Sequence, residues 1–131
     1  MIGLVIAAHA GLASELLKAA EMIVGPIDGA AAVAINADDS VEAIRTLLIG
    51  AIDSVSADGV IIMTDMFGGT PSNMSLSFLE ENRVEVLTGV NLPMVIKFVS
   101  DRGRYGVAEL AAQLKACGRD GVTVAGDYLK K

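Results

Sequence analysis

The stretch TDMFGGTPSN, Thr64 to Asn73, directly follows the apolar run GVIIM, Gly59 to Met63. Asp58-Gly59 is a turn signal, and the segment VIIMT that follows, Val60 to Thr64, is short and contains β-branched residues, which predicts a buried strand. Thr70 is suited to cap a helix and Pro71 to occupy its first turn, so a helix is expected from Pro71 to about Asn82. This part of the chain therefore predicts a strand, a loop with special backbone requirements and a helix.

The rest of the chain repeats the alternation of strand and helix. Further strands are expected at Gly3–Ala8, Ala31–Asn36, Val84–Val90 and Gly121–Leu129, and further helices at Leu12–Val24, Val41–Val55, Leu92–Ser100 and Val107–Cys117, the last ended by Gly118. Asp39 and Glu42 have the spacing of a capping box at the start of the second helix. This order predicts an α/β fold, doubly wound, with helices on both faces of a mostly parallel sheet of order 2-1-3-4.

Length and composition limit the kinds of protein that this chain can be. Its 131 residues fit one domain, 1–131, which is large enough to fold without a metal or a disulfide. Cys117 is the only cysteine, which excludes an internal disulfide and suits a reducing cytoplasm. No apolar run approaches the roughly 18 residues of a spanning helix, and no signal peptide is expected. The net charge of −6 argues against nucleic acid as a partner.

The predicted strand order brings two loops together. Ligands of doubly wound sheets bind beyond the carboxyl ends of the strands, where the chain reverses direction, here between strands 1 and 3. His9, the only histidine, stands at the end of strand 1, and Asp65 stands at the end of strand 3. No Cys/His spacing supports zinc, so no metal and no cofactor are expected. His9 is therefore a candidate for acid–base or nucleophilic chemistry.

Asp65 suggests a more specific role for His9. A carboxylate that accepts the proton of Nδ1 selects the tautomer in which Nε2 keeps its lone pair, so the histidine itself can be the nucleophile. Purely structural interpretations remain open at this point, with His9 satisfied in a loop and Asp65 capping its own turn.

The residues around this pair are typical of an anion site. Gly68 and Gly69 allow backbone amides to approach a phosphate closely, and Thr70 adds a hydroxyl where a helix begins. The rim is expected to comprise Ala10, Gly11, Met66, Phe67, Gly89 and Asn91, the last of which is also expected to cap a helix. GGTPSN lacks the lysine of a P-loop, and AHAGLA is not a dinucleotide fingerprint. Together these residues predict phosphoryl transfer onto His9.

Three segments, VIAAHAGLASELL, TDMFGGTPSN and LTGVNLPM, resemble the EIIA component of the mannose family of the bacterial phosphoenolpyruvate-dependent sugar phosphotransferase system. The resemblance covers nearly the whole chain. It implies a cytoplasmic phosphocarrier that accepts a phosphoryl group from HPr and passes it to an EIIB component, which serves membrane EIIC and EIID partners. By motif, His9 would be the phosphorylated residue, Asp65 its hydrogen-bonded partner and Thr70 a hydroxyl beside the phosphate.

The resemblance also implies an assembly. The family exchanges its C-terminal strand between two subunits, and GVTVAGDYL, Gly121 to Leu129, fits such an antiparallel strand. Natural proteins rarely leave a strand edge unpaired, so a homodimer is expected. Many relatives continue into EIIB, whereas here EIIB is expected to be a separate protein. Met66-Phe67 differs from some relatives and bears on partner contacts, and the sugar is not identified because EIIA does not bind it.

Two other interpretations remain open. A receiver-type domain phosphorylated on Asp65 would share the α/β order, but it requires an acidic pair after strand 1 to hold magnesium, where this chain has His9 and Ala10. A non-catalytic module that binds a small anion would use the same glycines. The residue to which phosphate becomes attached distinguishes both from a phosphohistidine carrier.

Overall fold

The computed structural model describes residues 1–55 and 58–130 of the chain. Four strands form one sheet: β1 (Gly3–His9), β2 (Ala30–Ile35), β3 (Val60–Thr64) and β4 (Val84–Thr88). All are parallel and lie in the order β2-β1-β3-β4, which confirms the predicted doubly wound topology. The chain therefore reverses direction between β1 and β3, at the predicted switch point.

Six helices flank these strands within the described residues. They are α1 (Leu12–Val24), α2 (Val41–Val55), α3 (Thr70–Leu76), α4 (Leu92–Asp101), α5 (Val107–Asp120) and α6 (Ala125–Leu129). The helices α1, α4 and α5 pack on one face of the sheet, and α2 and α3 pack on the other. Because both faces are covered, the central strands are apolar along their length rather than alternately polar.

Side chains along β1 alternate between the two faces. Leu4 and Ile6 pack with α1, α4 and α5. Val5 and Ala7 pack with the layer of α2. Burial of a large aliphatic side chain stabilises the fold by roughly 1.5–3 kcal/mol, so this register is strongly preferred. The period of two then places His9, at the end of β1, on the face of α2 and α3.

The helix α3 is shorter than the sequence predicts. It ends at Leu76 rather than near Asn82, which has a left-handed φ of 63° that no helix continues through. Within α3, the hydroxyl of Ser75 donates to the carbonyl of Pro71 at 2.7 Å. Serine side chains that bond to the local backbone compete with helix hydrogen bonds. Apolar spacing does not reveal this local effect.

The helix α5 is longer than predicted, because Gly118 lies inside it instead of ending it. A Cβ at Gly118 would lie 2.7 Å from Met94 Cε. The Gly118 carbonyl also accepts a 2.7 Å hydrogen bond from Asn91 Nδ2. This glycine therefore serves the close approach of α5 to the start of α4.

The C-terminal tail is not the strand that the sequence predicts. Residues 122–124 have no regular structure, Ala125–Leu129 form α6, and every described residue from Gly121 onward is exposed. A strand needs a neighbouring edge to pair with, and here the backbone bonds locally instead, with Tyr128 N–H donating to the Val124 carbonyl at 3.3 Å. The exchanged strand concerns two copies of the chain, so it stays a prediction.

Candidate active site

His9 and Asp65 meet at the switch point between β1 and β3. His9 is the last residue of β1, and Asp65 directly follows β3. His9 Nδ1 lies 2.6 Å from Asp65 Oδ2, and the backbone N–H of His9 donates to the same oxygen at 3.0 Å. The other oxygen, Oδ1, accepts from Met66 N–H at 3.1 Å. The structure therefore brings this predicted pair together and ties both the ring and the backbone of His9 to one carboxylate.

The carboxylate of Asp65 is held in its charged form. Burial raises the pKa of Asp65, whose side chain is only 13% exposed, but the hydrogen bonds from the backbone and ring of His9 outweigh burial and lower the pKa from its ordinary value of 3.8. An ionised carboxylate at Nδ1 favours the neutral ring tautomer that is protonated there. Nε2 then keeps its lone pair, on a side chain that is 51% exposed.

The two adjacent glycines of the loop after β3 differ in conformation. Gly68 has a φ of +86°, in the left-handed region. Gly69 has a φ of −81° and a ψ of 168°, an extended conformation that any residue adopts. A Cβ at Gly69 would lie 3.0 Å from Cε1 and 3.6 Å from Nε2 of His9. Gly69 is thus packed directly against the His9 ring.

Thr70 lies one position further into α3 than the sequence predicts. Gly69 occupies the N-cap position, since its carbonyl accepts the first helical hydrogen bond, from Asn73 N–H at 2.9 Å. Thr70 has helical geometry, and Pro71 follows it in the first turn, as predicted. Thr70 is exposed and lines a cleft beside His9.

This cleft has a volume of about 500 Å³. It lies between His9, Thr70 and the connection from β2 to α2, which contributes Asn36 and Asp39. Sequence reasoning missed this last wall. The strand order β2-β1-β3-β4 predicts this wall, because the carboxyl end of β2 must lie beside that of β1.

Ser40, and not Asp39, caps α2. Ser40 Oγ accepts from Ala43 N–H at 3.1 Å. The carboxylate of Asp39 is engaged in a local turn, where Oδ2 accepts from Asn36 N–H at 2.8 Å and Asp39 N–H donates back to the Asn36 carbonyl at 3.1 Å. The predicted capping by Asp39 is therefore wrong, and this carboxylate instead stiffens the wall of the cleft.

Ala10 and Gly11 carry the chain from β1 into α1. Ala10 has a φ of 51°, which is unusual for a residue with a Cβ. Its N–H donates to the Ile35 carbonyl at 2.9 Å and so extends the pairing of β1 with β2 past His9. Gly11 is the N-cap of α1, where no side chain caps the first N–H groups of the helix.

The remaining rim residues divide into two groups. Met66 and Phe67 are 55% and 74% exposed and form an apolar edge next to Asp65. Gly89 and Asn91 lie apart from the His9 cleft and line a separate hollow of about 280 Å³ beside α5. Asn91 caps α4 as predicted, since its Oδ1 accepts from Met94 N–H at 3.1 Å. Its amide binds α5, so the structure assigns Asn91 to packing and does not bring it to His9.

Two buried hydroxyls near the site were not singled out from the sequence. Thr64 Oγ1 and Ser72 Oγ are fully buried, and neither has a hydrogen-bond partner among residues 1–55 and 58–130. Thr64 directly precedes Asp65, and Ser72 lies in the first turn of α3. Buried polar groups normally find partners, so these two are exceptions. No periodic signal distinguishes them from ordinary polar residues at the end of a strand or the start of a helix.

The side-chain arrangement differs from that of a receiver-type domain. Within the described parts of the chain, no three His, Cys, Asp or Glu side chains lie close enough to hold a metal ion. The side chain bonded to Asp65 is the ring of His9 rather than another acid. The fold and the site together define a class: a doubly wound α/β protein with a histidine–carboxylate pair at its switch point.

Comparison with known proteins identifies the family. Residues 3–115 match the family model EIIA-man, described as the PTS system fructose IIA component. The chain therefore belongs to the mannose-type EIIA family of the phosphotransferase system, as its three motifs predict. EIIA components are part of a phosphoryl-transfer system that serves sugar uptake.

Individual relatives agree with this assignment. The fructose-specific EIIA component of Bacillus subtilis (strain 168) is 28% identical over 133 residues, which covers 100% of this chain and 91% of that protein. The mannose-specific EIIAB component of Escherichia coli (strain K12) is 32% identical over 127 residues, which covers 92% of this chain and 38% of that protein. A crystal structure of EIIA from Streptococcus agalactiae has a TM-score of 0.88 at 24% identity, covering 97% of this chain and 99% of that one, and shows the same fold. Among the described helices, none is both long enough and apolar enough to cross a membrane.

Proposed function

We propose that this chain is a phosphohistidine carrier. It accepts a phosphoryl group on Nε2 of His9 from phospho-HPr and passes it to an EIIB component, for sugar uptake or its regulation. The observation that carries the proposal is the 2.6 Å contact between His9 Nδ1 and Asp65 Oδ2, which leaves Nε2 as the available nitrogen of a half-exposed ring.

The transfer exchanges one phosphorus–nitrogen bond for another. The lone pair of His9 Nε2 attacks the phosphorus of the phosphohistidine in HPr, the donor P–N bond breaks, and its electron pair returns to the donor ring. Positive charge develops on the His9 ring, whose Nδ1 proton is held by Asp65. Such a charge-assisted hydrogen bond is worth roughly 1.5–3 kcal/mol. Transfer to EIIB uses the same contacts in reverse.

The transferred group would lie in the cleft beside His9. Thr70 lines this cleft, and its hydroxyl is the proposed side-chain donor to a phosphoryl oxygen. The backbone N–H groups of Gly68 and Gly69 are the proposed amide donors. Ala10 and Gly11 would form a further part of the rim, at the N-terminus of α1 that no side chain caps.

The protein partners would meet the exposed apolar edge of Met66 and Phe67. Both HPr and EIIB must reach the same nitrogen of His9, so one edge serves both in turn. The name of the E. coli relative, a mannose-specific EIIAB component, supports EIIB as the acceptor. Through EIIB the phosphoryl group would reach sugar at the membrane components EIIC and EIID, and the chain would act in the cytoplasm.

The whole chain, 1–131, would act as one domain and assemble as a homodimer through exchanged tails. β4 is an edge strand of the sheet, and edges of this kind are rarely left unpaired. Val122 and Val124 in the tail are 77% and 69% exposed in the single chain, so they have apolar surface to bury against a second copy.

The test is incubation with phosphoenolpyruvate, enzyme I and HPr, followed by intact mass and mapping of the modified residue. One phosphoryl group per chain is expected on His9, in a linkage that is labile in acid and durable in mild alkali, and His9→Ala should accept none. An alkali-labile, magnesium-dependent phosphate on Asp65 would instead support a receiver-type domain. No phosphate at all, with HPr fully phosphorylated, would support an anion-binding module.

A further inference from the structure

Gly68 and Gly69 are adjacent and identical in chemistry, yet the structure requires them to be glycine for different reasons. At Gly68 the backbone is left-handed, with φ at +86°, and a Cβ would meet nothing within 4 Å. At this position glycine is required by the left-handed backbone conformation and not by a lack of space for a side chain. At Gly69 the backbone is extended, so conformation does not require glycine.

The space around Gly69 is limited by His9. A Cβ would lie 3.0 Å from His9 Cε1, 3.3 Å from Met66 Cγ and 3.6 Å from His9 Nε2. Met66 is a flexible and exposed side chain that can move aside. The His9 ring cannot move freely, because its Nδ1 and the backbone N–H of His9 both bind Asp65 Oδ2.

We infer that Gly69 is a positioning residue whose missing side chain keeps the Cε1–Nε2 edge of His9 open to an incoming electrophile. This inference deepens the proposed function, since Nε2 is the atom that would receive the phosphoryl group. A methyl group at position 69 would occupy the approach to Nε2 or push the ring off Asp65. In either case the nucleophile would lose access or orientation while the fold remained intact.

The first test measures access to Nε2 without any phosphotransferase partner. The probe is diethyl pyrocarbonate, whose carbonyl carbon is attacked by an imidazole nitrogen: an N–C bond forms and ethyl carbonate leaves, decomposing to carbon dioxide and ethanol. His9 is the only histidine, so the reaction followed by ultraviolet absorbance reports this ring alone, and His9→Ala is the blank. Gly69→Ala should react about tenfold more slowly or worse, because small misplacements at a reacting atom have large effects on rate.

Gly50→Ala is the control for the added methyl group. Gly50 lies within α2, away from the left-handed region, and a Cβ there would meet nothing within 4 Å. This variant should not lower Tm, because alanine favours a helix over glycine, and it should leave the rate of His9 modification within about twofold of wild type. Gly69→Ala should react slowly while it remains folded. Equal modification rates in wild type and Gly69→Ala would overturn the inference.

Gly69→Ala/Met66→Ala separates the two contacts of the added methyl group. Removing the Met66 side chain beyond Cβ relieves the 3.3 Å contact and leaves the contact with His9. The double variant should remain slow, and it is the variant to measure if the crowding in Gly69→Ala prevents folding. Recovery of the wild-type rate in the double variant would show that Met66, not His9, is the obstructed group.

The same variants then distinguish this inference from the proposed function. With phospho-HPr as donor, wild type should be phosphorylated and Gly69→Ala should be slowed by a similar factor. If wild type accepts no phosphoryl group but Gly69→Ala still protects His9 from diethyl pyrocarbonate, the proposed function fails and the inference stands. If wild type is phosphorylated and Gly69→Ala reacts normally with both reagents, only the inference fails.

Discussion

The loops at the switch point and the C-terminal tail differ in how many of their contacts come from the rest of the same chain. At the switch point, Asp65 binds His9 through both ring and backbone, above Ala7 and Thr64, which are fully buried. In the tail, every described residue from Gly121 onward is exposed, and the backbone N–H groups of Asp127 and Tyr128 donate to the nearby Val124 carbonyl. Hydrogen bonds and buried neighbours within one chain set the geometry of the His9–Asp65 pair in the first region. The second region pairs with none of the four described strands of its own chain, so we expect its structure to depend on a second copy.

The largest expected effect comes from His9→Ala. Phosphoryl transfer should be lost completely, because the proposed nucleophile is removed. The change in Tm should be small, since the side chain is half-exposed and is not part of either core. Acceptance of phosphate by this variant, measured by intact mass after incubation with phospho-HPr, would mean that the switch-point pair is not the reactive site.

Asp65→Ala should slow transfer in both directions by about ten- to a hundredfold, without unfolding the domain. The lost hydrogen bond to the charged ring is worth roughly 1.5–3 kcal/mol. Asp65→Asn should fall between wild type and Asp65→Ala, because its amide oxygen can still accept from Nδ1 but brings no charge. Stopped-flow transfer from phospho-HPr measures all three. Wild-type rates in both variants would leave Asp65 as a residue that only supports its turn.

Removal of the tail from Val122 onward should change assembly and not the switch point. We expect the dimer to give way to monomer or aggregate, while soluble monomer keeps the His9–Asp65 contact and its reactivity toward diethyl pyrocarbonate. Light scattering at micromolar concentration reports the mass. A milder control is Val122→Lys/Val124→Lys, which keeps the tail but opposes its burial. A wild-type chain that runs as a monomer would contradict the expected exchange.

The smallest expected effect is the pH dependence of stability. The pKa of Asp65 is lowered on folding, so its ionised form is stabilised by the native state. This contribution is fully present above the ordinary value of 3.8 and is lost as pH falls through the lower folded pKa. The difference in free energy of unfolding between wild type and Asp65→Asn should therefore persist down to pH 5 and shrink only in strong acid. Denaturant titrations measure this difference in free energy of unfolding. If it already disappears between pH 7 and pH 5, the lowered pKa of Asp65 is not its cause.

The sequence predicted the position of the site because two independent patterns agree on it. Alternating strands and helices limit the sheet to a few orders, and the simplest order brings the ends of β1 and β3 together. The only histidine and an acid happen to stand at those two ends. The wall formed by Asn36 and Asp39 was missed, although the same strand order contains it, because neither residue carries an unusual motif.

The sequence by itself determined the features that follow from local patterns of residues. These are the strand order, the start of α1, the cap at Asn91 and the pairing of His9 with Asp65. Only the tertiary structure decided which of two adjacent glycines lies against the His9 ring, and that Gly118 serves packing rather than termination. The tail of a single chain is likewise a short helix although its apolar spacing is typical of a strand. The physical reason is the same in each case. These outcomes depend on distances between groups far apart in the chain, or on an edge that another segment must supply, and neither is present in local propensity.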